Sequence, residues 1–99
     1  MKFKTIKILS QEVEVKESNP QEWSDNGMGR SSTKDNRILI NKDMPDDAKT
    51  NTLLHEVIHM IANMNSIELN ETAVSVLANG LFSFMRENKK VVNEIINGG

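Results

Sequence analysis

Five consecutive residues hold every histidine in the chain: His55-Glu56-Val57-Ile58-His59. On a helix, positions four apart lie one above the other, so two imidazoles at that spacing can share one metal ion. With His55 at zero on a helical wheel, His59 falls at about 40° and Glu56 at about 100°. Glu56 therefore flanks the metal face, where a general base for a metal-activated water is wanted. A shuffled chain of this composition would show the pattern roughly once in 300 trials. The bland alternative is a pair of surface histidines on an amphipathic helix. The pattern lies well inside a helical segment, and it consumes the whole histidine supply.

That supply constrains the rest of the site. A catalytic zinc takes three protein ligands and keeps one position open. No histidine remains and the chain has no cysteine, so the third ligand must be a carboxylate. The candidates are Asp25, Asp35, Asp43, Asp46, Asp47, Glu68, Glu71, Glu87 and Glu94. Asp46 and Asp47 sit two turns back on the same helix, and Glu87 and Glu94 lie far toward the C-terminus. Glu71 stands out because it precedes Val74 by three and Ala78 by seven, on the apolar face of a second helix that must pack on the first. A carboxylate there needs a cation or a donor. Glu68, one turn earlier, is the rival, and a first-turn acid favoured by the helix dipole is the plainer reading of Glu71. With these parts, Glu56 would take a proton from water and pass it to a leaving amine. The usual histidine or tyrosine that steadies an oxyanion is missing, which leaves Arg30, Lys34, Arg37, the backbone or the metal for that role.

The elements that position these residues follow from periodicity. Phe3, Ile6, Ile8, Val13 and Val15 alternate with polar residues, which predicts two strands joined by a tight turn near Ser10-Gln11. Residues 18–34 are rich in Ser, Asn, Asp and Gly and read as a long loop, with Gly27 and Gly29 marking flexibility and Trp23 as a lid on the core or a groove wall. Residues 37–41 read as a third strand. Asp43-Met44-Pro45-Asp46-Asp47 starts a helix that runs to about Asn63. Its Leu54, Val57, Ile58 and Ile61 cluster between about 200° and 300° and predict a core face nearly opposite the metal face. A second helix starts between Ser66 and Asn70, with Asn70 a candidate N-cap, and ends near Asn88; within it, Gly80 predicts the close approach of a neighbouring element. A short third helix, with Val91, Val92, Ile95 and Ile96 at helical spacing, stops at Gly98-Gly99. Strands followed by helices give an α+β domain over residues 1–99: a small antiparallel sheet of about three strands packed on the active-site helix and a glutamate-bearing second helix.

Composition narrows the function classes. The chain has 99 residues, 12 basic and 14 acidic, with a net charge of -2. It lacks the basic excess of a nucleic-acid binder. No apolar run approaches the ~20 residues of a membrane span. No signal-peptide pattern is present, so a cytoplasmic location is expected.

Thr52-Leu53-Leu54-His55-Glu56-Val57-Ile58-His59, followed by Asn70-Glu71 and Val74-Ser75-Val76-Leu77-Ala78-Asn79-Gly80-Leu81, resembles the small gluzincin-type metallopeptidases, most of all minimal phage and prophage proteins related to the ImmA/IrrE group. The resemblance covers about residues 37–88. It implies zinc held by His55, His59 and Glu71, with Glu56 as general base. It also implies a peptide or protein substrate lying extended along the strand at 37–41. Only eleven residues separate His59 from Glu71, fewer than in larger gluzincins, and no helix-turn-helix segment accompanies the motif. Two functions follow as expectations. One is a zinc-dependent endopeptidase. The other is a weakly active or inactive metal-stabilised protein that binds a host or phage partner, since zinc binding can supply folding free energy in a small domain.

Overall fold

A computed structural model of the chain describes residue 1, residues 4–19 and residues 27–98. Trp23 and Asp25 lie outside the described residues. β1 (Thr5–Ile8) and β2 (Gln11–Ser18) form an antiparallel hairpin. Its turn is Leu9-Ser10, both at positive φ, 48° and 68°. Two left-handed residues match the twist of a two-residue hairpin. Neither is Gly or Asn, so each carries the steric cost of a Cβ in that region.

β3 (Gly29–Ser32) pairs antiparallel with β4 (Arg37–Asn41), and β4 pairs parallel with β2. The sheet order is β1-β2-β4-β3. The α+β class holds, with a mixed sheet of four strands where about three antiparallel strands were expected. The added strand, β3, lies inside the segment read as a loop. Its Gly-Arg-Ser-Ser sequence offers no apolar alternation to reveal it.

Three helices follow: α1 (Asp46–Met64), α2 (Glu71–Glu87) and α3 (Lys89–Asn97). Pro45 precedes α1, and Asp46 and Asp47 occupy its first turn. Asn70 caps α2 as expected, its side chain accepting from the Ala73 N–H at 2.8 Å. Gly98 ends α3 at φ 75°, a left-handed cap open to glycine without strain.

The core is built from Ile8, Val13, Val15, Ile38, Ile40 and Met60, with Leu53, Val57 and Met64 packed against it. This corrects the face expected of α1. On the same wheel Leu53, Val57, Met60 and Met64 lie between about 140° and 200°. Only Val57 of the expected stripe joins this cluster, and Ile61 is exposed. The sheet therefore meets α1 on a face turned about 80° from the expected one toward Glu56, still roughly opposite the two histidines. Gly80 is also corrected: a Cβ built there meets nothing within 4 Å, so no close neighbour requires it.

No helix is long and apolar enough to cross a membrane among the described residues.

Candidate metal centre

α1 and α2 run side by side in opposite directions, and each sends residues four apart into the seam between them. From α1 come Asn51, His55 and His59; from α2 come Glu71, Ser75 and Asn79. At one end of the seam Asn51 donates its amide to Asn79 Oδ1 at 2.8 Å. At the other, Glu71 bridges both histidines. Its Oε2 lies 3.0 Å from His55 Nε2 and its Oε1 lies 2.6 Å from His59 Nε2. The imidazole rings stand 5.0 Å apart, edge to face.

His55, His59 and Glu71 lie close enough to hold a metal ion, with one ligand atom from each and all three within 4.8 Å of one another. Donors around a tetrahedral zinc sit roughly 3.4 Å apart. Small side-chain adjustments would open the carboxylate contacts to that spacing. Two imidazole nitrogens and one carboxylate are also a donor set that zinc accepts, so residues and ion fit. No other His/Asp/Glu group of three with metal-binding proximity occurs among the described residues.

The route by which sequence singles out Glu71 differs from what places it. A buried carboxylate on the apolar face was expected. Instead the Glu71 side chain is 76% exposed, at the first turn of α2 and the mouth of the seam. What burial it has pushes its carboxyl up, but hydrogen bonds and charge from His59 and then His55 outweigh this and hold it below the ordinary value. The two histidines are the sheltered partners, 19% and 17% exposed.

Glu56 is the reverse case. It is 6% exposed, held between α1 and β3. Burial raises its pKa above the ordinary carboxylate value, while a hydrogen bond with Ser31 and the nearby histidines work in the other direction. A carboxylate sheltered in this way is a stronger proton acceptor than one in bulk water.

β3 comes close to α1 because Gly29 lacks a side chain. A Cβ there would lie 2.6 Å from Thr52 Cγ2, 3.2 Å from Leu39 O and 3.3 Å from Glu56 Cγ. Asn41 N–H bonds to Met28 O at 2.9 Å, so alternation turns Arg30 toward β4 as well. Gly29 and Ser31 then direct their main-chain N–H and C=O groups to the outer edge of the sheet.

A substrate strand along residues 37–41 does not fit this topology, because β4 is paired on both sides, by β2 and by β3. The sheet edge beside the site is β3. Together these elements line a cleft of about 630 Å³ that includes Arg30, Ser31, Thr52, His55, Glu56 and Glu71. Of the three basic residues considered for an oxyanion, only Arg30 lines it; Arg37 is paired with Glu14 at 2.7 Å. Asn51, Asn79, Ser75 and Ser31 were not expected. Asn51 and Ser75 each lie four residues from a ligand, a spacing legible in the sequence. Asn51 Oδ1 is buried without a hydrogen-bond partner.

Compared with protein-family models, with curated proteins and with solved structures, the chain gives no match.

Proposed function

We propose that this chain is a zinc-dependent endopeptidase. The observation that carries the reading is one carboxylate, Glu71, meeting both imidazoles at the mouth of a cleft whose wall holds Glu56. His55, His59 and Glu71 would hold the ion. Zinc bound there supplies Lewis-acid activation of water and of a carbonyl.

The chain's own residues do the remaining work. Gly29 and Ser31 offer main-chain donors and acceptors at an edge that no other strand among the described residues pairs with, so an extended peptide pairs along β3 and its scissile bond lies over the cleft. The hydrogen bond with Ser31 holds the Glu56 carboxyl in place. Glu56 takes a proton from the attacking water at a side-chain oxygen and returns it to the leaving amine nitrogen. Arg30 is the cation within the cleft available to a developing negative charge.

The test is Glu56→Gln. The expected result is zinc retained and peptide cleavage reduced by at least ~100-fold. Unchanged cleavage of a mixed peptide library by this variant would overturn the reading.

A second reading draws on one observation: the chain has no tyrosine and no third histidine. In that reading zinc holds a small fold together, and a host or phage protein is the partner. A chelator that unfolds the protein, with no cleavage of any library peptide, would favour it.

A further inference from the structure

The seam between α1 and α2 runs on beyond the metal centre. Its antiparallel helices meet in rungs one turn apart: His59 faces Glu71, the spacing sets His55 level with Ser75, and Asn51 faces Asn79. The last rung lies about 6 Å along α1 from His55 and carries no ionisable group. One turn further on, Asp47 and Arg86 neutralise each other at 2.9 Å.

The Asn51–Asn79 rung is incomplete. Asn51 Nδ2 donates to Asn79 Oδ1 at 2.8 Å, while Asn51 Oδ1 is shielded from solvent and has no partner among the described residues. Turning both amides over exchanges the roles and leaves the Asn51 nitrogen unpaired instead. One end of this amide therefore lacks a partner in either orientation, a state that native interiors rarely keep. Asn51 also lines the cleft, and Asn79, which holds it by this hydrogen bond, is exposed. A turn of that exposed side chain opens the Asn51 amide to the occupant of the cleft.

We propose that Asn51 and Asn79 form a subsite for a carboxamide side chain, so that the peptide taken by the cleft carries a glutamine or asparagine. The inference rests on the peptidase reading for the peptide itself. A carboxamide completes the rung: its NH2 donates to Asn51 Oδ1 and its oxygen accepts from Asn79 Nδ2, which closes a ring of three amides. A carboxylate of the same shape has no donor for Asn51 and brings a charge with no counter-charge at that rung. An aliphatic side chain leaves the Asn51 amide unpaired, the condition under which a polar site discriminates most strongly. β3 sets the register. Gly29 lies against Thr52, the neighbour of Asn51, and Ser31 pairs with Glu56, so β3 runs beside α1 in the same direction. At about 3.3 Å per residue, a strand along β3 passes the rung roughly two residues from the metal.

Equilibrium binding of labelled peptides to the zinc-loaded Glu56→Gln chain is the test, because it reads recognition without turnover. The peptides place Gln, its charged isostere Glu or its apolar isostere Met at each position in turn of an otherwise constant sequence. At one position Gln should bind at least ~10-fold tighter than Glu or Met. Asn51→Leu should erase that preference while zinc stays bound. Asn79→Ala, a change at an exposed position, should weaken it at least ~3-fold. No preference for Gln at any position overturns the proposal, and so does a preference that both variants keep. So does a failure of every peptide to bind, which would leave the Asn51 amide to a trapped water. Cleavage by the wild-type chain separates the two claims. Gln-selective binding without cleavage keeps the subsite and sinks the peptidase reading, and cleavage without Gln selectivity does the reverse.

Discussion

Met60 and Ile61 are neighbours in the chain, so their side chains leave α1 about 100° apart and meet different surroundings. Met60 is fully buried against the sheet, and Ile61 is 40% exposed on the side turned away from it. The same division runs through the helix pair. One side carries the sheet contact, the buried Glu56 and the polar seam with its histidines. The other carries an apolar stripe with little over it. Hydrophobicity alone therefore does not say which side of α1 is the core. The sheet docks where Gly29 lets β3 reach Thr52 and Glu56, and that contact decides the packing.

Substitutions on the two sides should separate. Met60→Ala is expected to cost about 2–5 kcal/mol in chemical denaturation, as a large-to-small change in a closed core. Ile61→Ala should cost less than about 1 kcal/mol in the single chain. Equal losses would break the comparison. Gly29→Ala puts a methyl 2.6 Å from Thr52 Cγ2 and should cost about 1–3 kcal/mol while also disturbing Glu56. On the open side, Gly80→Ala meets no neighbour and should stabilise α2 by about 1 kcal/mol. The smallest effect concerns pH. Glu17 is held below its ordinary pKa by hydrogen bonding to Lys49 and then to the N-terminal amine. A depressed folded-state pKa stabilises the fold above the unfolded value, about 4.3, and that contribution disappears as pH falls through the folded value. Acid denaturation curves of Glu17→Gln should lack this component.

What could be read from the sequence is what is local. The β1–β2 hairpin, β4, three helices, the Asn70 cap and the Gly98 cap each announce themselves within a few residues, through alternation, helical spacing or capping chemistry. The parallel pairing of β2 with β4 depends on contacts between distant segments, and β3 has no apolar pattern at all. His55, Glu56 and His59 are legible because a helix fixes their geometry. Glu71 is legible because few carboxylates can reach them, although it sits exposed at a helix start rather than buried on a face. Ser31 could not be foreseen, since its place beside Glu56 depends on a strand that no pattern marks.

The central claim is that His55, His59 and Glu71 together hold one metal ion. The most direct test is zinc titration with stoichiometry by elemental analysis, comparing wild type, Glu56→Gln and Glu71→Gln. One zinc per chain is expected in wild type and in Glu56→Gln, with affinity at least ~10-fold weaker in Glu71→Gln. Wild-type affinity and stoichiometry in Glu71→Gln would contradict the account.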